Sequence, residues 1–332
     1  MRAFQWLTAA LVACCALVLP AAAQAPAPAG PPFELKQVGP GVYAAIGGPM
    51  AGSNAGFVIG DDGVLVIDTF AFPAAGEALL EAIRKTTDKP IRYVINTHHH
   101  IDHVSGDAAF KAAGATIIAH KNVPGWIHSE NLHLFGANIT PAMRTQIEQL
   151  IGPDRTVDKQ TVITLGKRRI EIRPMSGHTG GDLVVGVPDA HVIFTGDIVW
   201  NHLGPTTIDG RIGQWVKEVT QLEMLPGETY VPGHGDVATA KDLDDLRRLF
   251  DDLTRLTAEA RAAGLGGDAL VTATAPKLVA LHPTWPRIER NAPTLVRQMD
   301  EELAGTKRVP VAANQPSLTP AARGSTSGSV RP

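Results

Sequence analysis

Four side chains that can bind a metal crowd into one short stretch of this sequence, in the order His98, His100, Asp102 and His103. The stretch follows residues 91–95 (IRYVI), which are rich in β-forming side chains and predict a strand that ends just before it. Two imidazoles two residues apart on an extended loop can bind one metal ion, and the next carboxylate and imidazole then point at a second ion nearby. The fold must therefore present this loop at the end of a strand.

Three further side chains of the same chemical type occur far along the chain. They are His178 in SGHTGGD, Asp197 in FTGDIV and His234 in VPGHGD. Each follows a predicted strand and has a glycine beside it, which lets the backbone approach a crowded site. Chance clustering among the 12 histidines is the alternative, and it does not account for this order and spacing. Imidazole and carboxylate ligands without thiolate favour zinc, with iron or manganese as the other choices.

These motifs (HHHIDH, GHT, TGD and PGHG as they stand here) resemble those of the metallo-β-lactamase superfamily of metallohydrolases. The resemblance runs from about Phe33 to Leu303. It implies an α/β fold, namely a four-layer αβ/βα sandwich of two mixed sheets with the metals at one edge. Asp68 in LVIDT matches the acidic residue that supports the metal loop in this family, although a simple turn aspartate is the alternative.

The resemblance also implies how the ligands divide between two zinc ions per chain. The first ion would be held by His98, His100 and His178, the second by Asp102, His103 and His234, and Asp197 would bridge them. Two adjacent cations would lower the pKa of a bridging water, so that hydroxide is available near neutral pH. Asp102 is the predicted catalytic residue, which orients this nucleophile and later carries a proton. The expected activity is hydrolysis of an ester, lactone, thioester or amide-type bond.

Composition limits the partners and the number of domains. The formal net charge is only -3 over 332 residues, which argues against nucleic acid as a partner because such proteins carry a clustered basic face. A small-molecule substrate is expected instead. With 44% hydrophobic residues the chain can bury the core of one large α/β domain or of two modest ones. The folded body is predicted as one hydrolase domain over residues 33–310.

The first residues have the pattern of a signal peptide, predicted over residues 1–23, with an apolar stretch and an A-x-A cleavage site. Export to a bacterial periplasm is the expectation, with no integral membrane segment after cleavage. Cleavage would remove Cys14 and Cys15, which are the two cysteines of the chain. Lipidation or an uncleaved anchor is the alternative. A Pro-rich lead-in is predicted over residues 24–32 and a disordered tail over residues 311–332.

Strands that alternate with helices predict the α/β class. The strands are predicted at residues 41–46, 54–59, 63–67, 91–95, 115–119, 170–172, 183–187, 192–194 and 229–231. The helices are predicted at residues 73–85, 107–113, 213–224, 240–263 and 294–303.

The substrate stays open at this stage. Asp197 resembles the glyoxalase II, lactonase and general hydrolase pattern with a bridging carboxylate, whereas the best-known lactamases have Cys or Ser at that place. A periplasmic β-lactamase and a non-catalytic metal-binding accessory protein of a periplasmic redox system are the alternatives. Loops beside the ligands supply the predicted substrate pocket, with six candidate residues: Met50, Trp126, Phe135, Trp200, Asn201 and His202.

Overall fold

The computed structural model describes residues 30–311. The predicted signal peptide, most of the predicted lead-in and nearly all of the predicted tail lie outside the described residues. Within residues 30–311, no helix combines the length and the apolar character that crossing a membrane requires.

The first sheet is formed by β1 (Phe33–Gly39), β2 (Val42–Gly47), β3 (Ala55–Ile59), β4 (Val64–Ile67), β5 (Ile91–Ile95), β6 (Thr116–His120) and β7 (Arg155–Val157). Among the described residues these seven strands lie across the sheet in chain order. Strands β1 to β4 pair antiparallel, whereas β4 to β7 run parallel. The sheet is therefore mixed, as the sequence predicts.

The second sheet is formed by β8 (Thr161–Leu165), β9 (Arg168–Met175), β10 (Asp182–Val187), β11 (Val192–Trp200) and β12 (Thr229–His234). Its order is β12-β11-β10-β9-β8 within the described part of the chain. Strands β8 to β11 pair antiparallel, and β12 runs parallel to β11. This sheet is also mixed.

The helices are α1 (Pro73–Thr86), α2 (Ile101–Val104), α3 (Asp107–Ala112), α4 (Val123–Trp126), α5 (Ser129–Phe135), α6 (Pro141–Glu148), α7 (Ile212–Glu223), α8 (Ala240–Ala262), α9 (Gly267–Leu281) and α10 (Ile288–Leu303). Apolar residues of α1 and α3 pack on the outer face of the first sheet. Helices α7 to α10 cover the outer face of the second sheet.

The inner faces of the two sheets pack on each other, and strand β4 shows how the sequence produces this. Val64 and Val66 belong to the core beneath α1, whereas Leu65 and Ile67 belong to the core between the sheets, where they join Phe194 of β11. Alternate side chains of a strand point to opposite faces, so both faces of β4 are buried. The layers run helices, sheet, sheet, helices, which confirms the predicted α/β four-layer sandwich.

Several element boundaries differ from the sequence prediction. Strands β1, β7 and β8 and helix α9 were not predicted; Pro276 interrupts the helical pattern of α9. Helix α10 begins at Ile288 and includes Pro293 in its second turn, so it starts six residues before the predicted residue 294. Strand β11 continues to Trp200, beyond the predicted end at residue 194. Asp197 therefore lies inside a strand rather than after one, which corrects the prediction.

The continuation of β11 depends on Gly196. This residue has a φ of +50°, and the pairing of β11 with β12 shifts register on both sides of it. Glycine adopts positive φ without the steric penalty of a Cβ atom, and such an irregularity bends a strand and re-aims its side chains. The bend at Gly196 directs the next side chain, Asp197, toward the loop of residues 97–103, which follows β5.

Candidate metal centre

The metal-ligand loop, residues 97–103, begins just after β5 and is held by a carboxylate from the neighbouring strand. Asp68 follows β4, and its two oxygens accept hydrogen bonds from Thr97 N and Thr97 Oγ1, both at 2.7 Å. Asp68 has a φ of +57°, an uncommon conformation for a residue with a Cβ atom. These hydrogen bonds stabilise the strained conformation, and the pairing fixes where the loop starts.

The first ligand group consists of the buried side chains His98, His100 and His178, with Asp197 beside them. His100 Nδ1 lies 3.1 Å from His98 Nε2 and 2.9 Å from His178 Nε2. Nitrogens bound to one tetrahedral zinc ion lie about 3.3 Å apart, given zinc–nitrogen bonds of about 2.0–2.1 Å. The three nitrogens are therefore close enough to share one ion.

The second ligand group consists of Asp102, His103 and His234. Asp102 Oδ2 lies 3.2 Å from His234 Nε2 and 3.7 Å from His103 Nε2. The side chain of Asp102 is 29% exposed, whereas those of the other ligands are no more than 6% exposed. Solvent therefore reaches the two ligand groups on the side of Asp102.

Asp197 contacts both ligand groups. Its Oδ1 lies 3.1 Å from His103 Nε2, and its Oδ2 lies 3.2 Å from His178 Nε2 and 3.4 Å from His234 Nε2. A carboxylate has two oxygens that can bind different cations. The two oxygens of Asp197 thus face histidines of both groups.

Buried polar atoms test whether these residues fit metal ions. His103 Nε2, His234 Nε2 and Asp197 Oδ1 make no hydrogen bond of suitable geometry among residues 30–311, although His103 Nε2 lies 3.1 Å from Asp197 Oδ1 and His234 Nε2 lies 3.2 Å from Asp102 Oδ2. A buried polar atom without a partner destabilises a protein by about 1–3 kcal/mol, so such atoms are rare and call for an explanation. Lone pairs that converge from several elements are explained by a cation between them. The residues present fit divalent metal ions.

The carboxylates and imidazoles also perturb one another's protonation. Burial lowers the pKa of His103, but the surrounding carboxylates, Asp197 first, raise it well above its ordinary value. Burial lowers the pKa of His234 too, and Asp197 again outweighs burial and raises it to about 9. For His178 burial prevails over Asp197 and lowers the pKa to about 3. Protonated His103 and His234 must lose a proton to bind a metal, so binding releases protons.

Two buried carboxylates each lie within hydrogen-bond distance of a histidine of the ligand groups, at the ring nitrogen that faces away from its group. Asp68 Oδ2 lies 2.8 Å from His103 Nδ1, on the side of the ring away from the second ligand group. Asp209 Oδ2 lies 2.9 Å from His100 Nε2. The role of Asp68 is predicted from the sequence, whereas that of Asp209 is not. The local signal at Asp209 is an Asp-Gly pair before a helix, which indicates a turn and nothing about histidine.

A third carboxylate orders the loop that carries His178. Asp182, at the start of β10, accepts hydrogen bonds from Gly177 N at 2.9 Å and from Thr179 N. Burial raises the pKa of Asp182 to about 7, although these hydrogen bonds lower it. The carboxylate closes a tight turn whose middle residue is His178.

The profile of the metallo-beta-lactamase superfamily matches residues 49–234, a range that includes the six residues of the two ligand groups and Asp197. The chain belongs to this superfamily. Membership confirms the resemblance seen in the sequence motifs, and it makes the hydrolase class the expectation for the whole site.

Curated relatives in this superfamily are hydrolases. A hydroxyacylglutathione hydrolase from Brucella anthropi is 31% identical over 175 residues, which make up 51% of this chain and 58% of that protein. A hydroxyacylglutathione hydrolase from Brucella ovis is 28% identical over 236 residues, or 68% of this chain and 82% of that protein. The chain thus spans less than two thirds of the first of these relatives.

Two solved structures have a fold similar to that of this chain. A metallo-beta-lactamase from Pontibacter korlensis superposes with a TM-score of 0.54 at 21% identity, covering 66% of this chain and 99% of that one. A stereoselective inverting sec-alkylsulfatase from Pseudomonas sp. superposes with a TM-score of 0.63 at 18% identity, covering 84% of this chain and 52% of that one. At these identities the similarity supports the fold alone.

Of the six residues predicted for the substrate pocket of this superfamily member, Trp200 lies against a residue of the ligand groups. Its buried ring is centred 4.0 Å from the ring of His234. Met50 is 61% exposed in the turn between β2 and β3. Asn201 donates to Asp236 O at 3.0 Å. His202 Nε2 lies 2.9 Å from Oδ1 of Asp242, a residue in the first turn of α8.

The other two predicted pocket residues lie in the helices after β6. Trp126 is buried and donates from Nε1 to Val311 O at 2.9 Å. Phe135 is half-buried and packs on an apolar cluster of this region that includes Val123 and Ile127. Neighbouring segments of the chain thus contact the side chains of Asn201, His202 and Phe135. Contact of these residues with a substrate stays a prediction.

Proposed function

We propose that this chain is a zinc-dependent hydrolase with two ions per chain, which cleaves an ester, lactone, thioester or amide-type bond in a small molecule. The observation that carries the proposal is the position of Asp197 between two separate ligand groups. Zinc suits a set of imidazoles and carboxylates without thiolate, and iron or manganese are the other candidates.

Seven residues would hold the ions, and one of them would also handle a proton. One ion would be held by His98, His100 and His178, the other by Asp102, His103 and His234, with Asp197 common to both. Such ions supply Lewis acidity and lower the pKa of water toward neutrality. Asp102 stands at the exposed side of the cluster, where its carboxylate can orient the attacking water and accept its proton.

Among the candidate bonds we place the thioester first. A relative that matches 68% of this chain is named a hydroxyacylglutathione hydrolase, and an acyl-glutathione is a thioester. The name describes that protein, and for this chain it defines the first substrate class to test. β-Lactams and a metal-binding accessory role without turnover are the competing functions.

The test is turnover by the zinc-loaded protein on an acyl-glutathione thioester, an aryl ester, a lactone and a chromogenic cephalosporin, with and without a chelator. We expect chelator-sensitive hydrolysis of at least one substrate. His98→Ala and Asp102→Ala should each lower kcat/KM by about a thousandfold or more, because each removes a group used in the transition state. The exposed His133 supplies a control, since His133→Ala should leave the rate unchanged.

Each outcome decides between the competing functions. Hydrolysis restricted to the cephalosporin would establish a β-lactamase in place of a thioesterase. Two ions bound per chain with no turnover on any of the four substrates would contradict the hydrolase proposal and favour the accessory role.

We also propose that the chain acts after export to a bacterial periplasm. The support is the signal-peptide pattern of residues 1–23. Expression of the full chain in a bacterium should yield periplasmic protein whose first residue is Gln24. Protein that stays in the cytoplasm with Met1 intact would contradict this.

A further inference from the structure

We propose that Asp209 is a positioning residue that fixes the imidazole of His100 with Nδ1 aimed at the first ligand group. The inference rests on the proposed function, since it assumes that this group holds a metal ion. It adds a residue that contributes to the site without being a ligand.

The geometry at His100 uses both ring nitrogens for different purposes. Nε2 lies 2.9 Å from Asp209 Oδ2, whereas Nδ1 lies about equally close to the ligand nitrogens of His98 and His178. A neutral imidazole carries one proton. When Nε2 donates that proton to the carboxylate, the lone pair is on Nδ1, where a metal needs it.

Asp209 contacts histidines of the metal-ligand loop through its buried carboxylate. Its side chain is fully buried, and the second oxygen, Oδ1, has no hydrogen-bond partner among the described residues. Oδ2 also lies 3.4 Å from Nε2 of His99, the residue between the two ligands His98 and His100. A buried carboxylate is costly unless it is paired, and the partners within reach here are imidazoles of the metal-ligand loop.

The fold places Asp209 by close backbone contact. Asp209 belongs to the segment that connects β11 to α7, and Gly210 packs directly on the chain that carries His178. A Cβ atom on Gly210 would lie 2.0 Å from Gly177 O and 2.6 Å from His178 O. The same segment therefore contacts two of the three histidines of the first ligand group.

The start of α7 anchors this segment. Ile212 N and Gly213 N donate to the Glu302 carboxylate of α10 at 2.7 and 2.9 Å. Asp209 therefore lies just before a helix whose first residues are fixed by hydrogen bonds to α10. This is the arrangement expected of a group that orients a ligand.

The second ligand group has an equivalent carboxylate, which gives the inference an internal comparison. Asp68 Oδ2 lies 2.8 Å from His103 Nδ1 and leaves His103 Nε2 for the metal. If each carboxylate orients its own histidine, the affinity of the first group for its ion depends on Asp209, and that of the second group depends on Asp68.

The test measures zinc affinity by competition with a chromophoric chelator in variants that keep a single ion. His234→Ala disables the second group and His98→Ala disables the first. In the His234→Ala background, Asp209→Ala should raise the Kd for zinc by ten- to a hundredfold, the usual effect of losing such a partner. In the His98→Ala background, Asp209→Ala should change the Kd by less than about twofold, and Asp68→Asn should raise it.

Conservative variants separate positioning from folding. Asp209→Asn keeps an oxygen that can accept from His100 Nε2, so its Kd should lie between those of the wild type and Asp209→Ala. Asp107→Asn is the matched control, because Asp107 is a buried carboxylate that accepts from Thr69 and Asn96 rather than from a ligand. Thermal unfolding without zinc should show that all variants fold, and the visible spectrum of the cobalt-loaded protein should change for Asp209→Ala.

The possible failures are distinct. Wild-type protein that binds no zinc would overturn the proposed function and this inference with it. Wild-type protein that binds two ions, with an unchanged Kd for Asp209→Ala in the His234→Ala background, would overturn the inference alone. Loss of a third ion in Asp209→Ala would make Asp209 a ligand together with His99 and His100, which also contradicts a positioning role.

Discussion

Asp197 is a carboxylate that lies within 3.4 Å of histidines from both ligand groups. Burial raises the pKa of its carboxyl, but His234, His103 and His178 outweigh burial and hold the pKa well below its ordinary value. The carboxylate is therefore ionised among imidazoles on both sides. Removing one member of a buried charged set leaves its partners uncompensated, so a substitution at Asp197 affects both groups at once.

A different buried carboxylate makes stability depend on pH at the residue scale. Asp107 accepts from Thr69 Oγ1 and Asn96 Nδ2, while its Oδ2 has no partner among the described residues. Burial raises the pKa of Asp107 to about 7, although the two hydrogen bonds lower it. The folded protein thus holds this proton more tightly than the unfolded chain, whose carboxyl titrates near 3.9. Stability from this group is therefore full below about pH 4 and is lost as the pH rises to about 7.

Asp107→Asn should remove the loss of stability between about pH 4 and pH 7, because the amide does not ionise. In chelator-treated protein, the unfolding free energy of the variant minus that of the wild type should be more positive at pH 8 than at pH 5, by up to about 2–4 kcal/mol. Thermal unfolding at the two pH values measures this. The exposed Asp88 is the control, and an equal difference at both pH values for Asp107→Asn would contradict the prediction.

Among the elements, the parallel pair β11 and β12 brings two ligands together from distant parts of the sequence. Asp197 lies in β11 after the bend at Gly196, and His234 is the last residue of β12. Gly233 lies against Asp197: a Cβ atom there would be 1.8 Å from Asp197 Oδ1 and 2.9 Å from Asp197 N. Glycine is required at this position by the close approach of the two strands.

Gly233→Ala should displace the Asp197 carboxylate. We expect kcat/KM to fall by about a hundredfold or more and the bound zinc to drop below two ions per chain, as measured by elemental analysis of the dialysed protein. Gly152→Ala is the matched control, because a Cβ atom on Gly152 meets nothing within 4 Å. Full zinc content and full activity in Gly233→Ala would show that β12 can yield without moving Asp197.

In the molecule as a whole, the ligands come from both sheets of the sandwich. The loop that carries His98 and His103 follows β5 of the first sheet, whereas Asp197 and His234 lie in strands of the second. Metal ions at this place would connect the two halves of the fold. A ligand that binds the folded chain alone stabilises it by about 2.7 kcal/mol at a concentration a hundred times its Kd.

Removal of metal should therefore lower the Tm by roughly 5–10 °C, given about 2–4 °C per kcal/mol for domains of this order of size. Differential scanning calorimetry with and without chelator measures the shift. The double variant His98→Ala, His234→Ala disrupts both groups and should lose most of this sensitivity to chelator. A wild-type Tm that does not respond to chelator would mean that the ions are not part of the folded core.

The sequence alone determined the features that short-range patterns encode. An uninterrupted apolar run such as Val64 to Ile67 predicts a strand buried on both faces, and the spacing of His98 to His103 indicates a metal-binding loop. The same motifs indicated the superfamily and, through it, the four-layer fold. Each of these depends on residues that are close in the chain.

The tertiary structure alone decided what depends on distant residues meeting. Asp209 reaches His100 across 109 positions, and nothing in its neighbourhood along the chain indicates a histidine partner. The continuation of β11 to Trp200 follows from pairing with β12, which compensates for the glycine that interrupts the local pattern. The direction of His202 toward α8 depends on Asp242, forty residues away. Local patterns carry no information on such contacts, because packing of the whole chain determines which side chains meet.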